Sequence, residues 1–422
     1  MRRGGRANWC AEGVAATLAL ISLAGCAARP APPPADGAAR APFLLTFWCG
    51  PPLAEFDDAR AAEVAAAGFT VVGPPCTGGF DPTLNLRALE VAQRHGLRIW
   101  VHDHRIGPKI VTAPDWPAAL NAAVAQYRDQ PALGGYFVAD EPRASQFSDV
   151  AAVVAAVHAA DPGHLAYVNL LPDYVPAEAL GTPTYTDYLQ QFIAAVHPEL
   201  LSYDYYPFGK EKDRSTFFDN LAAVRSAALE HRLPFMLIVL AMPHGPYRDV
   251  TEAELAWQVH HALAYGARGI SYFTYWTPTK GGEWKNHYGL IEEGKPTLHY
   301  FQAARLNRGL RALAAQLEGF ESIAVADSLG EIGVPLPIGP IDAIEGGPIT
   351  AGLFGDGNGS LAVLLVNRDY RYGVTARLRL RERANTPEAF DPATGRWQEA
   401  DSLAMTLAPG GAQLLRWDGK RR

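Results

Sequence analysis

Short apolar runs alternate with amphipathic stretches along residues 42–319. Eight of these runs have the length of strands and are almost wholly apolar, which is typical of a parallel sheet covered on both faces. They are Phe43–Cys49, Phe69–Gly73, Arg98–His102, Gly134–Ala139, Leu165–Leu170, Leu200–Tyr205, Phe235–Ala241 and Gly269–Tyr275. Eight strand–helix units within this span predict an α/β fold, a (β/α)8 TIM barrel.

Helical periodicity fills the intervals between these strands. The clearest predicted helices are Asp58–Ala67, Leu86–His95, Trp116–Arg128 and Thr216–His231. Ser215 stands at the N-cap position of the last one, and Gly68 and Gly96 stand where helix C-caps are expected. A doubly wound open sheet is the alternative fold. It is disfavoured because no Gly-rich phosphate turn follows the first strand.

Residues 320–422 have a different pattern, with short alternating strands separated by Gly, Asn and Asp turns. Leu361–Asn367, Val374–Leu380 and Ala412–Trp417 are the clearest of these strands. The pattern predicts a small C-terminal antiparallel β-sandwich. This accessory domain either packs on the barrel or binds glycan, and packing is the simpler expectation.

The N-terminus has the layout of an export signal. Three arginines precede an apolar run from Val14 to Leu23, which is too short for a stable membrane span. The run closes on Leu23-Ala24-Gly25-Cys26, which resembles the lipobox of bacterial lipoproteins. The resemblance implies a signal peptide over residues 1–25 and lipidation of Cys26. Residues 26–41, rich in Pro and Ala, are then a tether.

These features predict a location in the bacterial cell envelope, outside the cytoplasm, with the membrane as partner through the lipid anchor. Cys49 and Cys76 each follow a predicted strand, so a disulfide between them is sterically plausible if the strands are neighbours. The net charge of -7 is spread along the chain, and no basic stripe is present. We therefore expect no nucleic-acid partner.

Two adjacent carboxylates, Asp140 and Glu141, end the fourth predicted strand. The C-terminal ends of barrel strands line the active site, so acids at this position suggest chemistry. Paired carboxylates cleave glycosidic bonds, one of them as the proton donor. The structural alternative is an acidic N-cap on the following helix.

The other strand ends add polar and aromatic side chains suited to binding a sugar ring. In chain order, the candidates are Trp48, His102, Asp103, His104, Arg105, Asn169, Tyr203, Asp204, Tyr205, Tyr206, His244, Tyr275 and Trp276. Some have structural alternatives, such as an ion pair between Asp204 and Arg105. The His102-Asp103-His104 triplet suggests a metal, but no further ligand has suitable spacing, so we expect no metal and no cofactor.

The barrel, the strand-four acids, the Trp after strand eight and the trailing sandwich resemble a clan of retaining glycoside hydrolases. The segments Tyr288-Gly289-Leu290-Ile291 and Gly294-Lys295-Pro296-Thr297 resemble β-galactosidase-like members of that clan. Two positions depart from its pattern. The clan carries Asn-Glu at strand four, where this chain has Asp140-Glu141. It also carries a nucleophilic Glu at strand seven, where Leu240-Ala241-Met242-Pro243-His244 contains no acid.

The Asp-Glu pair is similar to that of the hexosaminidase families, in which the N-acetyl group of the substrate is the nucleophile. That resemblance implies that Glu141 is the general acid/base and Asp140 orients the acetamido group. Tyr205 or Tyr206 would then hold its oxygen. The other option is inversion, with Asp204 or Asp103 as the base for water.

The sequence therefore predicts a glycoside hydrolase that acts on an oligo- or polysaccharide outside the cytoplasm. The alternative is a carbohydrate-binding lipoprotein without catalytic activity, which the missing strand-seven acid favours.

Overall fold

Eight parallel strands form a nearly closed barrel, so the predicted fold class is confirmed. The computed structural model describes residues 42–76, 81–278, 288–382 and 384–418. The barrel strands are β1 Leu44–Phe47, β2 Val71–Val72, β3 Arg98–Val101, β4 Leu133–Asp140, β5 Leu165–Leu170, β6 Leu201–Tyr205, β7 Phe235–Leu240 and β8 Gly269–Phe273. Their order in the sheet is β1-β8-β7-β6-β5-β4-β3-β2.

Helices cover the barrel and one follows it. They are α1 Asp58–Ala66, α2 Pro82–Arg94, α3 Trp116–Tyr127, α4 Phe147–Ala160, α5 Ala177–Leu180, α6 Tyr185–Val196, α7 Phe217–His231, α8 Glu252–Ala264 and α9 Leu298–Gln316. Short 3-10 turns occupy Leu53–Glu55, Pro108–Thr112 and Ala144–Gln146.

Local sequence signals set most of the helix ends. Asp57 accepts a hydrogen bond from the Arg60 N–H at the start of α1. Gly68 and Gly96 have φ of 81° and 66°, the left-handed conformation expected after a helix. Ser215 is not the N-cap of α7, because that position belongs to Thr216. The Thr216 hydroxyl hydrogen-bonds to the Tyr205 hydroxyl and does not cap the helix.

The barrel closes at a tight seam between β1 and β2. The Thr70 N–H donates to the Leu45 carbonyl at 2.8 Å, and the Gly50 N–H donates to the Pro74 carbonyl at 2.8 Å. A Cβ on Gly73 would lie 1.8 Å from the Phe47 carbonyl oxygen, so glycine is required for this approach. A disulfide joins Cys49 to Cys76 across the same seam.

The C-terminal region is a sandwich of two antiparallel sheets. One contains β11 Glu321–Asp327, β13 Ile349–Gly355, β14 Leu361–Asn367, β16 Glu388–Asp391, β17 Arg396–Glu399 and β19 Ala412–Trp417. The other contains β12 Ile341–Glu345, β15 Val374–Leu380 and β18 Ala404–Leu407. A two-stranded hairpin, β9 Ile291–Glu292 and β10 Lys295–Pro296, precedes α9.

The sandwich packs on the barrel through α8. Alternate residues of β14 are buried in different cores: Leu364 joins the barrel core, and Leu365 joins the core between the two sheets. Ten of the thirteen residues of α8 are buried, as expected for a helix covered on both sides. The Trp257 indole donates to the Arg368 carbonyl at 2.8 Å. The expectation that this region packs on the barrel agrees with these contacts.

We expect Gly73→Ala to destabilise the protein by about 1–3 kcal/mol, because the added methyl group meets the backbone of β1. Gly309→Ala is the matched control. Nothing lies within 4 Å of a Cβ at that position in α9, so alanine should gain up to about 1 kcal/mol of stability. Urea unfolding followed by circular dichroism measures both variants. Equal stability of Gly73→Ala and wild type would contradict the close approach of Gly73 to the backbone of β1.

Candidate active site

A bulge in β4 turns Asp140 into the barrel. The register between β4 and β5 shifts between Phe137 and Ala139, so Val138 is an extra residue. Because side chains alternate along a strand, Phe137 would otherwise share the inner face with position 139 and leave Asp140 outside. The bulge instead aligns Asp140 with Asn169, and both side chains point inward.

The Asn169 amide ties two carboxyl groups together at the barrel mouth, meaning the C-terminal ends of the eight strands. Its Nδ2 donates to Asp140 Oδ1 and to Asp204 Oδ1, each at 3.1 Å. Its Oδ1 accepts from the Ser202 hydroxyl at 3.2 Å, and Ser202 hydrogen-bonds to the Tyr167 hydroxyl at 2.9 Å. The amide is therefore held with its donor facing the acids.

Glu141 completes this group, which we call the carboxyl cluster: Asp140, Glu141 and Asp204. Glu141 has φ of 47°, which is uncommon for a residue with a side chain, and its N–H donates to the Asn169 carbonyl at 2.8 Å. Its side chain hydrogen-bonds to Asp204. Asp204 is buried, whereas Asp140 and Glu141 are exposed to solvent. A ligand at the mouth would thus meet Asp140 and Glu141 first.

The crowding of three acids alters their titration. Burial, followed by the charges of Glu141 and Asp140, raises the pKa of Asp204 well above its ordinary value. Surrounding protein atoms and the adjacent Glu141 raise the pKa of Asp140 to about 7, although the residue as a whole is exposed. The cluster therefore retains protons near neutral pH, which is a requirement for general acid catalysis.

Aromatic rings cluster at the strand end that carries Asp204. The Tyr206 ring lies 5.2 Å from His244, 5.2 Å from Tyr247 and 5.4 Å from Phe273. Tyr206 follows Asp204 by two residues, and the Asp204 charge contributes, after the larger effect of burial, to the raised pKa of Tyr206. The His244 Nδ1 lies 2.8 Å from the Met242 carbonyl oxygen.

Trp48 and His102 lie at another part of the mouth, on either side of Phe137. The Phe137 ring is 5.5 Å from Trp48 and 4.8 Å from His102. Burial lowers the pKa of His102 to about 4, so this imidazole is neutral at pH 7. Together with the Tyr206 group, these largely buried rings pack around polar groups near the strand ends.

Three predicted tyrosines do not face the mouth. Tyr203 and Tyr205 alternate with the inward-facing Ser202 and Asp204, so they point outward. The Tyr205 ring packs at 5.4 Å from Phe217, the first residue of α7. Tyr275 lies beyond the end of β8, and its hydroxyl donates to Glu63 of α1 at 2.6 Å.

Asp103 and Arg105 of the β3 loop also have structural roles. Asp103 is fully buried and accepts hydrogen bonds from Arg105 Nη2 at 2.6 Å and from the Tyr127 hydroxyl at 2.8 Å. This arrangement excludes both the suggested Asp204–Arg105 ion pair and a role for Asp103 as a base. The His104 side chain is 73% exposed, at 3.9 Å from Asp103.

Trp276, which follows β8, packs against Arg60. The guanidinium carbon of Arg60 is 5.0 Å from the centroid of the Trp276 ring.

The structure also brings to the mouth residues that the sequence did not single out. Phe273 ends β8 two residues before Tyr275, and Tyr174, Arg214 and Tyr247 lie on the loops after β5, β6 and β7. The sequence could have indicated one further inward-facing residue, Ser202, because it is two residues before Asp204 on the same strand. Cys26 lies outside the described residues.

The described part of the chain contains neither a metal-binding cluster nor a membrane-spanning helix. No group of three or more His, Cys, Asp or Glu side chains is arranged to hold a metal ion. No helix there has both the length and the apolar composition needed to cross a bilayer.

No protein-family model matches the chain, and no curated protein sequence matches it. Solved structures are similar in fold. A GH42 beta-galactosidase from G. stearothermophilus has a TM-score of 0.62 at 9% identity, over 90% of this chain and 98% of that one. A glycoside hydrolase family 5 protein from Bacteroides vulgatus has a TM-score of 0.55 at 15% identity, over 89% and 88%.

A third similar structure is a beta-galactosidase from the psychrophilic Marinomonas ef1, with a TM-score of 0.50 and 12% identity. The match covers 65% of this chain and 60% of that one, so the present chain spans little more than half of that protein. At these identities the similarity establishes the barrel fold, and the activity has to be argued from the site.

The raised pKa of Asp204 predicts a pH-dependent stability. A carboxyl with a raised folded-state pKa binds its proton more tightly in the folded protein, so stability falls as pH rises above the unfolded value near 4. Asp204→Asn removes this loss. Its stability relative to wild type should rise with pH, by at most about 1.4 kcal/mol per pH unit.

Urea unfolding between pH 4 and pH 8 measures this slope. Asp129→Asn serves as the control, because the Asp129 side chain is 87% exposed and lies away from the cluster. Parallel curves for wild type and Asp204→Asn would show that Asp204 does not titrate as described.

Proposed function

We propose that this protein is a glycoside hydrolase with Glu141 as its general acid/base. The observation that carries the proposal is the carboxyl cluster itself. Two exposed carboxyl groups and one buried carboxyl group are fixed at the mouth of a barrel, beside aromatic rings. The fold similarity to glycoside hydrolases of families 5 and 42 supports the same activity.

Glu141 is suited to donate a proton to the leaving glycosidic oxygen. It is exposed at the mouth, and its hydrogen bond to Asp204 keeps a second carboxyl group against it. A shared proton between close carboxyls favours protonation of one of them near neutral pH. After the leaving group departs, the same carboxylate can remove a proton from water.

An enzyme nucleophile at strand seven is absent from the described residues of this site. Leu240 and Met242 are fully buried and apolar where the related clan carries a glutamate. We propose that the N-acetyl group of the substrate takes that role. Asp140 would accept the acetamido N–H, and Tyr206 would donate to its oxygen, since Tyr205 faces outward.

Inversion with Asp204 as the base has less support. Inverting glycosidases hold their two carboxyl groups roughly 6.5–9.5 Å apart, to admit a water molecule between acid and base. Asp204 is instead buried and hydrogen-bonded directly to Glu141. Two carboxyl groups that share a hydrogen bond lie closer together than that spacing.

Glu141→Gln should lower kcat by roughly 10²–10⁴-fold, because the amide cannot donate an acidic proton. Glu178→Gln, at an exposed position on α5, should keep the wild-type rate. Release of reducing sugar from a panel of polysaccharides and aryl glycosides measures both variants. The panel pairs 2-acetamido sugars with their 2-hydroxy counterparts, and substrate assistance predicts turnover of the acetamido members alone.

Full activity in Glu141→Gln would refute the role of this residue. The missing strand-seven acid favours one other function, a carbohydrate-binding lipoprotein without turnover. Binding of a glycan by wild type with no product from any member of the panel would establish that alternative.

We also propose that the enzyme is a lipoprotein of the bacterial cell envelope, anchored through Cys26 and acting on glycan outside the cytoplasm. The lipobox resemblance at residues 23–26 supports this location. Cys26→Ser should move the protein from the membrane fraction to the soluble fraction and abolish labelling with a palmitate analogue in a bacterial host. Unchanged membrane association and labelling would rule out the anchor.

A further inference from the structure

A line of aromatic residues connects the carboxyl cluster to an arginine on the β6 loop. Tyr206, which borders Asp204, has its ring 5.2 Å from that of Tyr247. The Tyr247 hydroxyl donates to the Tyr174 hydroxyl at 3.2 Å. Tyr174 lies on the loop after β5, the strand next to β6 in the sheet, and the Asp204 charge contributes, after burial, to its raised pKa. Arg214 packs on its ring.

The Arg214 guanidinium is held flat and in place. Its central carbon lies 3.7 Å from the centroid of the Tyr174 ring, and its Nη2 lies 3.4 Å from the Tyr247 hydroxyl. The Arg214 N–H donates to the Pro207 carbonyl at 2.7 Å, which fixes the base of the side chain. A stacked guanidinium loses little conformational freedom when it binds a planar anion.

The positive charge of Arg214 is not neutralised by an ion pair. Within the described part of the chain, no carboxylate oxygen lies within 4 Å of its guanidinium nitrogens, in contrast to Arg105 and Arg248. The charge of Arg214 acts on the pKa of the Asp173 carboxyl, but it is not the main influence on that group. Burial and the charge of Asp219 raise the pKa of Asp173 to about 6, opposite to what an ion pair produces.

We infer that Arg214 binds the carboxylate of a hexuronic acid in the glycan, in a subsite next to the carboxyl cluster. This inference rests on the proposed glycoside hydrolase activity and defines its substrate class. The substrate is a chain in which an acetamido sugar adjoins a uronic acid. The acetamido sugar lies over Asp140 and Glu141, and the uronate carboxylate forms a bidentate pair with Arg214.

The charge of the site explains why an anionic glycan would need a cation such as Arg214. The negative charge that the carboxyl cluster still carries near neutral pH repels an anionic glycan, and a fixed guanidinium offsets that repulsion at one place. A neutral glycan would need no such cation. The planar donor fork also selects a carboxylate, because two parallel N–H groups match its two oxygens.

The test compares hyaluronan and unsulfated chondroitin with their carboxyl-reduced derivatives, which differ only in the charged group. We expect wild type to act on the acidic forms with a KM at least tenfold lower than on the reduced forms. Arg214→Gln should raise KM on the acidic forms by roughly 10–100-fold, the range for a lost charge-assisted hydrogen bond, and leave kcat within a few fold. On the reduced forms it should match wild type.

Lys212→Gln is the control, because it removes the same charge from an exposed position of the same loop. It should behave as wild type on every substrate. Arg214→Lys should recover only part of the affinity, since an ammonium group cannot form the bidentate pair. Equal KM values for Arg214→Gln and wild type on the acidic forms, or equal values for acidic and reduced forms in wild type, would overturn the inference.

Binding by Glu141→Gln separates this inference from the proposed function. Affinity electrophoresis in gels containing each polysaccharide needs no turnover. Retardation of Glu141→Gln by the acidic forms, lost in the Glu141→Gln/Arg214→Gln double variant, supports the subsite even if wild type cuts nothing. Turnover of neutral glycans alone would support the hydrolase and reject the uronate. Stronger binding to sulfated chondroitin than to the unsulfated polymer would also reject it, in favour of a sulfate ester.

Discussion

The site depends on one amide, Asn169, which holds two acids that would otherwise repel each other. Its Nδ2 donates to Asp140 and Asp204 at once, and Ser202 fixes the opposite end of the group. Without this shared donor, two ionised carboxyl groups bonded to the same amide nitrogen would be pushed apart by their charges. Because Asp204 also contacts Glu141, the amide determines where both exposed acids stand.

The rest of the fold keeps this geometry in place. The bulge at Val138 turns Asp140 inward, and the left-handed conformation of Glu141 directs the chain out of β4 immediately after the two acids. Such backbone irregularities persist only where the surrounding packing enforces them. Here the enforcement comes from the closed barrel, whose β1–β2 seam depends on Gly73.

The sequence was sufficient for the barrel, because apolar runs of strand length alternate with helical periodicity over eight units. It also placed Asp140, Glu141, Asn169 and Asp204 at strand ends, where they meet. It failed where the direction of a side chain decides the outcome. Tyr203 and Tyr205 lie on the predicted strand but face outward, because side chains alternate between the two faces of a strand. Tyr275 does not face the mouth because β8 ends at Phe273, two residues earlier than predicted.

Loop residues were beyond the reach of sequence patterns for a related reason. Arg214 and Tyr174 are brought together by the loops after β6 and β5, and no periodicity links those positions. Asp103 shows the converse error. It has the residue type and the position of a catalytic acid, but Arg105 and Tyr127 satisfy its carboxylate in the protein interior.

The anomeric configuration of the first product tests the central claim most directly. Proton NMR during hydrolysis of a 2-acetamido glycoside follows the newly formed anomer before mutarotation. Catalysis by Glu141 with the acetamido group as nucleophile predicts retention of configuration. Inversion would contradict it, because water would then attack the anomeric carbon directly, without the acetamido group as nucleophile.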